Sequence, residues 1–236
     1  MFDDERKGVA WARNEGVRRA TGDYVAWVDC DDQVQVRWAA AIAHGLQEGR
    51  VDILAFDARA EWSDGRAGYD IVYGREGGEI PVPLFAKDVI GVGRTGGWLW
   101  NKVFRRDVFE GRQFVGNAFQ DYRMMCEILP DVKSVRYLPE QLYVYRRNKT
   151  GISQYVNREA SLMALRALAE IADARMDAYA DDMRRGVAVQ AADFCRHAEG
   201  DPALRAFLRR QLWNVWTGGD INLRVKVKCL IEALKR

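Results

Sequence analysis

Histidine is nearly absent from this chain. His44 and His197 are the only two, far apart and without ligand spacing, so both read as ordinary helix residues. Cysteine is scarce as well: Cys30, Cys126, Cys195 and Cys229 are scattered and form no Cys-x-x-Cys pair. That distribution speaks against a disulfide framework and fits free thiols in a reducing compartment, with the cytoplasm as the expected location. Long apolar runs are missing, none approaching the ~20 residues that span a bilayer. No signal-peptide pattern opens the chain. Charge of one sign is not in excess: 36 basic residues face 34 acidic ones, a net charge of +2, which gives no reason to expect nucleic acid as a partner. Internal repeats and low-complexity linkers are absent too.

What is there suits a globular protein. At 236 residues the chain can bury a sizeable core in one domain, or in one domain plus a helical appendage. Hydrophobic residues make up 48% and charged residues 30%, an ordinary balance for a folded chain. Aromatics reach 11%; core packing is their first use, and stacking on sugars or bases the second.

Periodicity supplies the elements. Val9, Ala12, Gly16, Val17 and Ala20 fall on one helical face with Arg18 and Arg19 outside it. Tyr24 to Val28 is a continuous apolar run, as in a strand covered on both sides. A second helix is expected over Val36 to Glu48, with Gly49 at its C-terminal cap, and a second buried strand over Val51 to Phe56. Helix–strand–helix–strand is the order of α/β layering. Asp64-Gly65 predicts a hairpin turn between strands at Ala58–Trp62 and Tyr69–Tyr73, with a polar loop at Gly74–Glu79. Further elements are expected at Leu84–Ile90 (helix), Leu99–Phe104 (strand), Asp121–Leu129 (helix), Val132–Tyr137 and Leu142–Tyr145 (short strands). After Asn157 the pattern is helical, broken near Tyr179, at Gly200-Asp201-Pro202 and at Gly218-Gly219, so three or four packed helices are expected. The division expected is a sheet domain over 1–155 and a helical region over 156–236.

The chemistry concentrates near the start. Thr21-Gly22-Asp23-Tyr24-Val25-Ala26-Trp27-Val28-Asp29-Cys30-Asp31-Asp32 places carboxylates at the carboxyl end of a strand, where open α/β sheets bind ligands. Oxygen ligands there suit a hard divalent cation, which in turn carries phosphates. The bland reading of such an Asp-x-Asp is capping of the following helix. The preceding helix reads Ala12-Arg13-Asn14-Glu15-Gly16. Together the Ala-Arg-Asn-x-Gly helix and the Gly-Asp-Tyr-hydrophobic-Asp-x-Asp-Asp strand resemble the nucleotide-sugar half of a family 2, GT-A type glycosyltransferase.

Two later blocks carry the same resemblance. Trp98-Leu99-Trp100-Asn101-Lys102-Val103-Phe104-Arg105-Arg106, followed by Phe114 and then Gln120-Asp121, is similar to the family's Trp-Asn-Lys-hydrophobic-Tyr/Phe-Arg-Arg segment with its Glu-Asp at a helix start. Gln120 stands where the common Glu is. Leu142-Tyr143-Val144-Tyr145-Arg146-Arg147-Asn148-Lys149-Thr150-Gly151-Ile152-Ser153 looks like the family's Tyr-Arg and Ile-Ser stretch. The resemblance runs from about Gly8 to Ser153 and implies a GT-A sheet with a C-terminal helical appendage. It implies transfer of a sugar, with inversion, from a nucleoside-diphosphate sugar, a UDP-sugar first among them, to a saccharide or lipid-linked acceptor. Mn²⁺ or Mg²⁺ would sit on Asp31 and Asp32, with Asp29, Arg13, Arg146 and Lys149 on the donor and Asp121 as the base that takes the acceptor proton. For Arg146 and Lys149 a solvated basic loop is the equal alternative.

Family members normally carry a strand, a helix and a second strand ahead of the Ala-Arg-Asn helix. The resemblance therefore implies that roughly 60 residues, about two βα units, precede this point in relatives. The expectations that follow are a misassigned or truncated start, poor donor binding by the chain as written, or a non-catalytic binding remnant of the same fold. The basic, apolar tail Ile221 to Arg236 reads as a helix packed on its neighbours, with contact to an anionic membrane face as the second reading. Self-association is the remaining partner expectation.

Overall fold

A computed structural model describes residues 8–47, 49–91, 96–147, 158–197, 201–219 and 221–235. Its elements run α1 (Val9–Arg19), β1 (Tyr24–Ala26), β2 (Gln33–Val34), α2 (Trp38–Gln47), β3 (Ile53–Trp62), β4 (Tyr69–Ile71), β5 (Gly78–Ile80), α3 (Val82–Val89), β6 (Lys102–Arg105), α4 (Gln120–Ile128), β7 (Val135–Arg147), α5 (Arg158–Ala174), α6 (Ala180–His197), α7 (Pro202–Thr217) and α8 (Leu223–Leu234). Seven strands form one sheet in the order β1-β6-β3-β7-β2, with β4 added to β3 and β5 to β7. The class is the α/β one expected, but the sheet is mixed. β3 and β7 are parallel, while β1–β6, β2–β7, β3–β4, β3–β6 and β5–β7 are antiparallel.

Several segments depart from the sequence pattern, among them β2, which the pattern does not predict, and β6, which begins at Lys102 rather than Leu99. The separate strands expected at Val51–Phe56 and Ala58–Trp62 are one strand, β3, and those at Val132–Tyr137 and Leu142–Tyr145 are one strand, β7. Asp57 looks like a break in the apolar run. It is buried instead, accepting from the Tyr73 N–H (3.1 Å) and the Tyr137 hydroxyl (2.8 Å), so the strand passes through it with a register shift. The Gly74–Glu79 loop ends in strand β5, paired with β7. The Tyr24–Val28 strand is the shortened β1, at one end of the sheet order, with Val25 alone buried. Helix α1 likewise buries no residue fully; Ala10, Val17 and Ala20 pack partly against the core.

Alternation along β3 divides the interior in two. Ile53 and Ala55 face a large cluster with α3, α4 and the C-terminal helices, whereas Leu54, Phe56, Ala58 and Ala60 face a smaller one with Ile42 of α2, Trp100 and Tyr143. Helices α5–α8 follow the breaks read from sequence. Asp201 caps α7 by accepting from the Leu204 N–H (2.9 Å), and Asn222 caps α8 by accepting from the Val225 N–H (3.0 Å). Their Leu165, Leu168, Val187, Leu204 and Phe207 belong to the same cluster as Phe85, Phe104 and Tyr137 of the sheet half, so one core runs through both.

Candidate active site

The acidic segment leaves β1 and turns back toward the far end of β7. Tyr143 fastens it. Its hydroxyl oxygen accepts from the Asp29 N–H (3.0 Å) and its proton goes to Asp32 Oδ2 (2.8 Å). The other oxygen of Asp32 accepts from the Arg146 N–H (2.7 Å). Asp32 is thus a strut between the acidic loop and β7. Burial pushes its carboxyl up to about 6, against the lowering pull of those two donors. The same burial, with the neighbouring carboxylate, raises the Tyr143 phenol.

Asp29 stands between opposite influences. Desolvation raises its pKa most, Arg13 lowers it, and the charges of Asp31 and Asp121 raise it. Arg13 comes from α1 with Nη2 4.0 Å from Asp29 Oδ1. Its guanidinium lies 5.9 Å from the Trp27 ring centroid and 5.7 Å from that of Phe114. Both rings anchor it in cation–π fashion. Arg13 Nη1 is buried and makes no hydrogen bond among the described residues. Asn14, next to it, clasps the backbone of Phe114, donating to its carbonyl (3.0 Å) and accepting from its N–H (2.7 Å). This clasp holds α1 in place so that Arg13 reaches Asp29.

Asp121 lies in the first turn of α4. The residue before the helix, Phe119, adopts a left-handed conformation at φ 54°, a costly geometry for a bulky side chain. Lys102, the first residue of β6, is completely buried beneath this corner. Its ammonium donates to Trp98 O (2.7 Å), Asn101 Oδ1 (2.7 Å) and Gly96 O (3.3 Å). Burial lowers its pKa to about 7, and the charge of Asp121 opposes that. Gly97 lies against the start of α4, where a Cβ would come within 2.9 Å of Tyr122 Cα. Trp98 stacks on Trp100 at 5.2 Å, and Trp100 on Tyr143 at 4.9 Å and Tyr145 at 5.6 Å, all within 17° of parallel. Three segments remote in sequence therefore meet at one place: the acidic loop, the Trp98–Lys102 segment with Asp121, and the end of β7.

The model for the glycosyl transferase family 2 matches residues 1–111. The glycosyltransferase YibD of Escherichia coli (strain K12) is 28% identical over 162 residues, 65% of this chain and 46% of that protein. The putative glycosyltransferase EpsH of Bacillus subtilis (strain 168) is 24% identical over 164 residues, with the same shares of 65% and 46%. The likeness to the family 2 glycosyltransferases covers just under half of this chain by the family model and about two thirds of it by these relatives. The chain also shares its fold with residues 1–349 of Staphylococcus aureus TarS, solved with UDP-GlcNAc. The TM-score is 0.56 at 17% identity, over 95% of this chain and 60% of that one. It spans just under half the length of the curated relatives it matches.

Of the residues singled out from sequence, Arg13, Asp29, Asp31, Asp32 and Asp121 lie in or electrostatically against this cluster. Arg146 contributes its backbone N–H, and its side chain is exposed. Lys149 lies outside the described residues. Sequence reading quoted Lys102 and Tyr143 within their motifs but gave them no role. The available signal was a lysine just ahead of the apolar Val103-Phe104 pair and a tyrosine between Leu142 and Val144, which burial makes costly unless each is bonded.

Proposed function

We propose that this chain is a family 2 glycosyltransferase that transfers a sugar from a nucleoside-diphosphate sugar to a saccharide or lipid-linked acceptor. The carrying observation is the meeting of segments remote in sequence: Tyr143 of β7 accepts from the Asp29 N–H (3.0 Å) and donates to Asp32 (2.8 Å), Trp100 stacks on Tyr143 at 4.9 Å, and Asp121 lies near enough for its charge to help raise the Asp29 carboxyl. A donor held by Asp29 and an acceptor held by Asp121 would meet there. Arg13, with an unused buried N–H beside Asp29, suits the donor's diphosphate, and the UDP-GlcNAc bound by TarS makes a UDP-sugar the donor to try first. Asp121 would accept the proton of the attacking hydroxyl, giving inversion in a single displacement.

The fit of Mn²⁺ or Mg²⁺ follows from the donor set. Among the described residues no three carboxylate, histidine or cysteine groups are placed to cage a metal. Asp32 has both oxygens on protein donors. Asp31 is exposed, with no hydrogen bond or ion pair among the described residues. One or two open carboxylates plus substrate phosphates is the way Mg²⁺ is commonly held in nucleotide sites. Asp31, with Asp29 beside it, therefore fits a cation shared with the diphosphate, and Asp32 serves as the strut. When bound, the cation would neutralise charge growing on the leaving diphosphate.

The residue content, with four free cysteines and no helix among the described residues long and apolar enough to cross a membrane, supports a cytoplasmic setting in this reading. Calorimetry of the full chain with UDP, with and without Mn²⁺, tests the donor half. Metal-enhanced binding that Asp31→Ala abolishes is expected; undiminished metal-dependent binding by Asp31→Ala would refute the assignment.

A further inference from the structure

Helix α8 is apolar on two opposite sides. Cys229 and Ala233 are buried against the other helices, with Glu232 between them neutralised by Lys235 (2.6 Å). On the other side Leu223, Val227, Ile231 and Leu234 stand 67%, 39%, 50% and 68% exposed. At 3.6 residues per turn these four fall within an arc of about 80°, a strip about 16 Å long. The preceding helix, α7, ends with two more exposed large side chains, Trp213 and Trp216. Isolated exposed aliphatics are ordinary, whereas a continuous strip marks a docking surface.

Charge says what docks. The strip is rimmed by Arg224, Lys226, Lys228 and Lys235. Lys228 is paired with Asp193 (2.6 Å) and Lys235 with Glu232. Arg224 and Lys226 have no ion pair among the described residues. The one carboxylate of α8, Glu232, is buried, so the outward side of the helix carries no acid. A second copy of this chain would bring Arg224 and Lys226 against their own equivalents. A surface of phosphate headgroups over acyl chains would satisfy both the bases and the aliphatics, and tryptophan is at home at that boundary.

We propose that the outward face of α8, with Trp213 and Trp216, docks on an anionic lipid surface. The proposal holds whatever sugar the chain transfers. Flotation of the full chain with vesicles of phosphatidylcholine and phosphatidylglycerol tests it, with vesicles of phosphatidylcholine alone as the comparison. Strong recovery with the anionic vesicles is expected, with a blue shift of tryptophan emission. Recovery should fall about tenfold or more with phosphatidylcholine alone. The double variant Leu223→Gln, Ile231→Gln and the double variant Arg224→Glu, Lys226→Glu should each lose about as much, with an unchanged melting temperature because these side chains point away from the core. Wild-type protein left behind by anionic vesicles would overturn the proposal, as would normal flotation of the Leu223, Ile231 variant. Self-association in sedimentation that this variant abolishes would assign the face to a second copy instead.

Discussion

A single phenol oxygen joins two of the three motif blocks. Tyr143 takes the Asp29 N–H and gives its proton to Asp32, so the acidic loop is held by a residue of β7. One consequence is measurable as a titration. Burial places the Asp32 carboxyl at about 6, above the ordinary carboxylate value of ~3.9. A raised folded-state pKa means that the folded protein binds the proton more tightly than the unfolded chain does. This contribution to stability is therefore complete below the ordinary value and is lost as pH rises through about 6. Carboxyl ¹³C shifts followed by NMR should show an Asp32 inflection near 6, and an inflection at the ordinary value would show the strut to be open to water. Asp121 is the second residue to test. Asp121→Asn should lower turnover by about 10²-fold or more while leaving the donor KM nearly unchanged, the pattern for loss of a general base facing the acceptor. Steady-state rates of UDP release would show it, and normal turnover would leave Asp121 as a first-turn residue of α4 alone.

At the scale of elements, close approach matters more than propensity. Gly186, in the middle of α6, faces the carbonyl of Ile90 at the end of α3; a Cβ there would lie 2.0 Å from that oxygen and 2.5 Å from the Tyr122 hydroxyl. The same hydroxyl donates to the Ile90 carbonyl at 2.6 Å, so α3, α4 and α6 meet at one point. Replacing a helical glycine by alanine gains about 1 kcal/mol of helix propensity on an exposed surface. Here the obstacle is backbone, which cannot swing aside, and overpacking costs about 1–3 kcal/mol or more. Gly186→Ala should therefore lower the melting temperature in thermal denaturation followed by circular dichroism, whereas a rise would mean that α6 sits further from α3. Glycine inside an Ala-rich helix gave no hint of this in the sequence. The hairpin at Asp64-Gly65 was legible, because Gly65 at φ 81° takes a backbone conformation that the dipeptide itself favours.

Across the whole molecule, the helices and the sheet share one apolar interior. Leu165, Val187, Leu204 and Phe207 of α5–α7 lie in the same cluster as Phe85, Phe104 and Tyr137, so the two halves are expected to open together. Native-state hydrogen exchange should give the slowest amides of β3 and β7 and those of α6 similar opening free energies, the mark of one cooperative unit. A markedly lower value across α5–α8 would make the helical region a separate unit.

The order of α1, β1 and α2, the carboxylates after β1, Asp121 near the start of α4 and a C-terminal run of three or four helices were all legible from sequence. Each rests on local chemistry: apolar period, turn residues and caps act within a few positions. The continuity of β3 through Asp57, the mixed sheet and the roles of Lys102 and Tyr143 were decided by tertiary structure. So was the outward side of α8. Each of these depends on a partner far along the chain, since burial makes an aspartate, a lysine or a tyrosine tolerable only where such a partner meets it. An amphipathic period likewise marks an apolar face without stating whether protein or solvent lies beside it.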